Sequence, residues 1–251
     1  MALHPLAERF ASVADAYELG RPDYPPAVVG ALAAELSLQR GARVLDLAAG
    51  TGKLTRALLA GGLDVLAVEP QRQLREMLER AVGAARVRDG LAEAIPLPAN
   101  AVEAVTVADA FHWFDHARAL AEIRRVLRAD GGLAVLASAP DWRGAAWGHA
   151  LGELITRERP PHPQFEGPPW QQALRSSEEW EEPEEVRISA SLPASAPRLL
   201  AYITSMSWVA AMEPERRARL LEQARELLAA SEVPARMPMR FLLTLARPRL
   251  D

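Results

Sequence analysis

Three groups of residues in this chain have types and spacings that could do chemistry. The first is a pair of glycines, Gly50 and Gly52, followed by an acid, Glu69, 19 residues after Gly50. Glycines at a turn let the backbone bend sharply and pass close to a ligand. The N-terminus of a following helix turns free N–H groups toward the same place. An acid about 20 residues on is placed to accept hydrogen bonds from ribose hydroxyls. The combination is suited to holding a nucleoside. The second group is Asp109, Ala110, Phe111, His112 and Trp113. His112 is the titratable group best placed to accept a proton, or it shapes the loop by bonding to backbone. Phe111 and Trp113 offer aromatic faces, which attract a cation. The third group is Trp142, Tyr202 and Trp208, candidates for lining a substrate pocket or for core.

Elements must position these groups. Arg43–Leu47 is a continuous apolar run, as expected of a parallel strand covered on both faces. A glycine turn (48–52), a helix over 54–60 and a second strand over 64–68 follow, and Glu69 closes that strand. Pro70 and Gln71 lie just past the acid. A helix over 72–82, a short strand over 86–89 and a strand over 102–108 come next. Ligands in open parallel sheets bind beyond the carboxyl ends of the strands, so residues 109–115 fall where chemistry is expected. A helix over 117–128 stops at Ala129-Asp130-Gly131-Gly132, and a fifth strand covers 133–138. Upstream, Phe10, Val13, Ala14 and Tyr17 suit a short amphipathic helix ending at Gly20, and 27–38 is a helix with Val28, Val29, Leu32 and Leu36 on one stripe. Downstream, 141–185 is irregular, with five prolines in 159–169 and six glutamates in 176–185. Such composition favours exposed chain, yet Trp142, Trp147, Trp170 and Trp180 need somewhere to pack, as a lid or a partner surface. A strand over 186–192, helices over 196–211 and 215–230, and a last strand over 240–247 complete the chain.

Composition bounds the possibilities. The chain has 251 residues, 49% of them hydrophobic, with a formal net charge of −4. An acidic balance argues against nucleic acid held mainly through phosphates. No cysteine is present, so disulfides and thiolate metal sites are excluded, and the five histidines show no ligand spacing. No metal is expected. No apolar run reaches bilayer length, and no signal-peptide core stands at the start. The expectation is a cytoplasmic protein, off the membrane, acting on a small molecule as a monomer or homodimer.

Two cofactor classes use a strand–turn–helix–strand unit of this kind. The dinucleotide fingerprint needs a third glycine, and Thr55 stands in its place. The string D-L-A-A-G-T-G (Asp46 to Gly52) instead resembles motif I of class I S-adenosylmethionine (SAM) methyltransferases, with Ala48 in the first glycine's position. Y-E-L-G-R-P-D-Y-P (Tyr17 to Pro25), G-L-A-E-A-I-P (Gly90 to Pro96), F-H-W-F-D (Phe111 to Asp115) and E-I-R-R-V-L-R-A-D-G-G-L (Glu122 to Leu133) are similar to strings of a small-molecule branch of that family, the type-11 enzymes akin to those of ubiquinone biosynthesis and trans-aconitate methylation. The similarity runs from about Tyr17 to Ser138.

The resemblance implies a Rossmann-like α/β fold. Seven mostly parallel strands would be flanked by helices, with an antiparallel last strand and a largely helical lid. Residues 1–138 would form a cover and SAM-binding core, 139–235 a lid with one core strand near 186–192, and 236–251 the final core strand. The implied activity is SAM-dependent methyl transfer to O, N or C of a small molecule. Tyr17 and Arg21 would neighbour the methionine end of SAM, and Arg21 can pair with a carboxylate. Asp46 would shape the loop or reach the methionine ammonium. Ala48, Gly50, Thr51 and Gly52 would pass the cofactor closely, and Glu69 would hold the ribose. Pro70, Gln71, Leu91 and the Ala92 amide would meet adenine, with Leu91 where the branch has a polar side chain. Asp109, Ala110 and Phe111 would border the cofactor, and Trp113 the acceptor. The alternatives are a SAM- or ligand-binding protein on the same fold without turnover, and an NAD(P)-dependent oxidoreductase, which lacks its fingerprint here.

Overall fold

The computed structural model describes residues 4–142, 146–162 and 170–249. The proline-dense expectation falls partly on 163–169, outside the described residues. Seven strands form one sheet: β1 (Arg43–Leu47), β2 (Asp64–Val68), β3 (Val87–Arg88), β4 (Val102–Ala108), β5 (Leu127–Pro140), β6 (Glu184–Pro193) and β7 (Arg236–Ala246). Their order is β3-β2-β1-β4-β5-β7-β6. The first five pair in parallel, and the last strands are antiparallel. The chain winds one way from β1 to β3 and the other from β4 onward, so the order reverses between β1 and β4.

The sequence explains these elements locally. Val44, Leu45 and Leu47 of β1 are buried on both faces, which commits the run to a central strand. Helix Lys53–Ala60 buries Leu54, Thr55 and Leu58, and helix Arg72–Val82 buries Leu74 and Leu78, each at helical spacing. Asp115 starts helix His116–Val126 by accepting the Arg118 amide at 3.3 Å. Pro26 opens helix Pro26–Glu35, where its missing N–H costs nothing. Fully burying one such Leu or Val side chain contributes roughly 1.5–3 kcal/mol.

Several elements differ from the sequence reading. Residues 141–185 read as irregular from their prolines and acids, but helices Ala146–Glu158 and Trp170–Arg175 form there, because Leu151, Leu154 and Leu174 have buried positions to fill. The last strand starts at Arg236 rather than 240, and the helix read over 27–38 ends at Glu35. The run Ala129–Gly132 looks like a helix stop, but the helix ends at Val126 and the run lies inside β5. There the register jumps from Val102 opposite Leu127 to Ala104 opposite Gly132, which is a bulge. The apolar stripe over 196–211 divides into helices Ala196–Thr204 and Ser207–Ala210. Ser205 breaks it by turning its hydroxyl back onto the Tyr202 carbonyl at 2.7 Å.

The described residues fall into two compact units. The sheet unit holds 23–138, 170–188 and 241–249. Its core joins Leu45, Leu47, Val105, Val107, Phe111, Ile123 and Leu133 with Leu174 and Trp180. Trp180 is 1% exposed, so an acid-flanked tryptophan is anchored within this core. The helical unit holds 4–22, 139–142, 146–162 and 189–240. In it helix Ala14–Gly20 packs tightly on helix Ala196–Thr204, and helix Pro214–Ala229 packs on Ala146–Glu158. Gly20 makes the first contact possible: a Cβ there would collide with the backbone of Ala201 and Tyr202.

Candidate functional site

The glycine turn after β1 carries three positive φ angles: Ala48 at 57°, Gly50 at 59° and Gly52 at 90°. Ala48 is the departure from the glycine motif, and it adopts the left-handed conformation at some cost. Gly52 is doubly constrained, because a Cβ there would also sit 2.6 Å from Leu78 Cδ1. The turn is therefore shaped by backbone conformation, with the helix Lys53–Ala60 leaving directly from it.

Glu69 ties the turn to the end of β2. One carboxylate oxygen accepts the Gly50 N–H at 2.8 Å and the other accepts the Gln71 N–H at 2.9 Å. The residue is 3% exposed. Burial raises its pKa from 4.5 to about 7; the Gln71 and Gly50 amides and the nearby Arg75 charge oppose that rise. Arg75 also donates to the Glu69 and Pro70 carbonyls at 2.9 Å each, which fixes the corner on which Pro70 and Gln71 stand.

Asp46 lies behind the turn. In β1 it stands in register with Ala67 on one side and Thr106 on the other. Its carboxylate accepts the Thr55 hydroxyl at 2.6 Å and the Thr106 hydroxyl at 3.3 Å. Burial lifts its pKa to about 7 against those hydrogen bonds. Thr55, standing where the dinucleotide fingerprint has its third glycine, braces Asp46 with its hydroxyl. Thr51 is 2% exposed, and its carbonyl accepts Arg56 at 3.2 Å.

Across the same end of the sheet, Leu91 forms a one-residue bridge with Ala94, and Ala92 is buried at 5% exposure. Glu93 accepts the Asp115 amide at 2.9 Å, so this acid fastens the loop after β4. Asp109 follows β4 with φ at 52°, and its carboxylate bonds Ser138 and Tyr24. Ala110 precedes the 3-10 turn Phe111–Trp113. Phe111 is buried, stacked on His116 at 5.3 Å and close to Trp170 at 5.2 Å. Burial holds the His116 pKa below its ordinary value, against a backbone bond to Phe111. His112 and Trp113 are half-buried, their rings 4.4 Å apart.

The other predicted residues belong to the helical unit. Arg21 lies between two tyrosine rings, 5.3 Å from the centre of Tyr17 and 5.1 Å from that of Tyr202. It donates to the Ser205 hydroxyl at 3.0 Å. Such cation–π contacts hold a guanidinium plane in place. Trp142 meets the Tyr202 ring at 6.1 Å and Trp147 at 6.5 Å. Trp208 is buried in helix Ser207–Ala210. An open groove of about 810 Å³ runs along helix Pro214–Ala229, lined by Met212, Pro214, Arg217 and Leu221 among others, and includes none of the predicted residues. The glycine turn is therefore identified by its geometry.

Within the sheet unit the structure gathers Asp46, Ala48, Gly50, Thr51, Gly52, Glu69, Pro70 and Gln71 around one turn. Within the helical unit it gathers Tyr17, Arg21, Tyr202 and Trp142. Sequence reasoning missed Thr55, Thr106, Ser138 and Lys53 as supports. Thr55 was findable, as a polar residue where a glycine is expected; Thr106 and Ser138 needed the strand register. No helix among the described residues is long and apolar enough to cross a membrane. Among them, no group of three or more His, Asp or Glu could hold a metal ion.

Comparison with known proteins agrees with this geometry. A family model described as a methyltransferase domain matches residues 45–135. An uncharacterized methyltransferase of Mycobacterium tuberculosis is 36% identical over 220 residues, covering 88% of this chain and 85% of that one. A proposed type II methyltransferase from Anaeromyxobacter dehalogenans, a solved structure, is 25% identical with a TM-score of 0.64, covering 91% of this chain and 97% of the other. A phosphoethanolamine N-methyltransferase of Haemonchus contortus, solved with phosphomonomethylethanolamine and S-adenosylhomocysteine, shares the fold at 15% identity and a TM-score of 0.54, over 95% of this chain and 58% of that one. With the glycine turn, the sheet order and a relative aligned along most of its length, the chain belongs to the class I methyltransferase family.

Proposed function

We propose that the protein transfers the methyl group of SAM to an O, N or C atom of a small molecule. One observation carries the choice of SAM: a buried carboxylate, Glu69, latched to the Gly50 amide at 2.8 Å beside three left-handed turn residues. That cradle fits an adenosyl group. Gly52 lets the turn pack against Leu78 without a side chain between them, and the Glu69 carboxylate presents further lone pairs to ribose hydroxyls. When bound, SAM supplies an activated methyl carbon on a sulfonium.

The chain's residues position and enclose the reacting groups, which is where most of the rate in such displacements arises. Glu69 holds the ribose, and Ala48, Gly50, Thr51 and Gly52 shape the turn that passes the ligand. Pro70, Gln71, Leu91 and Ala92 contact adenine. Asp46 braces the turn from behind. Asp109, Ala110 and Phe111 border the cofactor through the loop after β4. Trp113 lines the acceptor. His112 takes a proton or walls the cofactor.

Titration of the purified protein with SAM, S-adenosylhomocysteine and NADH by calorimetry tests this reading. Micromolar binding of both adenosyl ligands and none of NADH is the expected outcome. Absence of adenosyl binding would remove the methyltransferase assignment while leaving the fold unchanged.

A further inference from the structure

Asp109 stands at the point where the strand order reverses, just past β4, and β1 and β4 flank that crevice. In open α/β sheets ligands bind there. Its backbone is in the left-handed region, φ 52°, a conformation aspartate adopts more readily than most residues and which local hydrogen bonds hold. The Asp109 amide donates to Leu136 at 2.8 Å, one carboxylate oxygen accepts the Ser138 amide at 2.9 Å, and the other accepts the Ser138 hydroxyl at 2.7 Å. Ser138 alone therefore fixes both oxygens. A third donor, the Tyr24 hydroxyl, reaches the second oxygen at 3.3 Å. This longer bond is not needed to hold the carboxylate, and it brings a phenol to the crevice.

Tyr24 is itself held firmly. Its ring lies 5.9 Å from Phe241. Its neighbour Asp23 pairs at 2.9 Å with Lys53, the first residue of the helix leaving the glycine turn, whose side chain is 7% exposed. The dipeptide is thus fastened at one end to the turn and at the other to the loop after β4. All of these residues belong to the sheet unit.

We propose that Tyr24 receives the proton of the methyl acceptor and that Asp109 is the sink behind it. The inference rests on the methyltransferase reading above. As the acceptor atom bonds to the methyl carbon, the carbon–sulfur bond breaks and its electron pair stays on sulfur. The acceptor's proton passes to Tyr24 Oη, and the phenol's own proton passes to Asp109. A sulfonium and a carboxylate become a neutral thioether and a neutral acid, so charge balances; the acid then returns its proton to water. The acceptor class follows: a nucleophile carrying an ionisable hydrogen, a hydroxyl or an N–H, rather than a tertiary amine.

Sinefungin tests this without knowing the acceptor. In it an amine-bearing carbon replaces the methylsulfonium, so an ammonium stands where the transferable methyl would be. Calorimetry of sinefungin and S-adenosylhomocysteine is run on the wild type, Tyr24→Phe and Asp109→Asn. The readout is the ratio of the two affinities, which a contact shared by both ligands leaves unchanged. Tyr24→Phe keeps the ring against Phe241, and should weaken sinefungin about tenfold while S-adenosylhomocysteine stays within about twofold. Asp109→Asn should shift the ratio in the same direction. An unchanged ratio in Tyr24→Phe would overturn the proposal and make Tyr24 a clasp. A shift in Tyr24→Phe alone would overturn the role given to Asp109. If neither ligand binds the wild type, the methyltransferase reading itself falls, and the proposal with it.

Discussion

Replacing Glu69 with glutamine probes the link between the glycine turn and its ligand. The two carboxylate oxygens each accept one backbone N–H, from Gly50 and from Gln71. Glutamine has one accepting and one donating end, so one of these amides loses its partner and faces another N–H. Hydrogen bonds to charged groups contribute about 1.5–3 kcal/mol, so SAM affinity at pH 8 should fall about tenfold or more. The proton count is a sharper test. With its pKa raised to about 7 by burial, Glu69 is about nine-tenths protonated at pH 6 in the free protein. Ribose hydroxyls donating to it favour the ionised form. Binding should then expel about 0.9 proton at pH 6 and about 0.1 at pH 8, and affinity should drop about tenfold per pH unit below 7. Calorimetry in buffers of different ionisation heat counts these protons. Glu69→Gln has none to give at this position, and a remainder from Asp46, also raised to about 7, would be common to both proteins. Equal proton release by the wild type and Glu69→Gln would refute the reasoning.

Stability should follow pH through the same group. Its folded pKa lies above the unfolded one, so its contribution is full below about pH 4.5 and lost as pH rises through about 7. That loss is on the order of 3 kcal/mol, and the Tm difference between Glu69→Gln and the wild type should move in the variant's favour from pH 5 to 8; a constant difference would contradict it. Gly52→Ala forces a side chain into φ 90° and onto Leu78. It should cost about 1–3 kcal/mol, read as a Tm lower by roughly 2–12 °C, and an unchanged Tm would mean the turn relaxes freely. With Tyr24 as the proton acceptor, His112→Ala should lower turnover and SAM affinity together, as for a cofactor wall; a loss of turnover alone would make His112 the acceptor and count against Tyr24.

Much of this was legible in the chain because local rules and the fold agreed. The 43–47 and 64–68 strands, the helix over 72–82 and the strand over 102–108 carry continuous apolar runs or clean helical stripes, and they appear with the expected bounds. The spacing put Glu69 at the end of the second strand, and its burial and its bond to the Gly50 amide appear only in the structure. What the chain concealed depends on partners distant in sequence. Ala129–Gly132 has the composition of a helix stop, yet pairing with β4 makes it a bulge. Glycine spacing says nothing of the threonines bracing Asp46, because Thr106 meets it only through strand register. Nor could an acidic, proline-bordered stretch announce that Trp180 is core.

The close contact of helix Ala14–Gly20 with helix Ala196–Thr204 bears on how the chain is made. Arg21 and its partner Ser205 are 184 residues apart. At about 5–20 residues per second, synthesis leaves roughly 10–40 s between the emergence of one and the other. A helix of seven residues is far below the ~12–15 needed for marginal independent stability. Phe10, Val13 and Tyr17 therefore leave the ribosome well before the helix they pack on and wait without it, while the strands from β1 to β5 can already assemble behind them. Residues made before the sheet are thus secured after it, and until then they stay open to a chaperone or a protease.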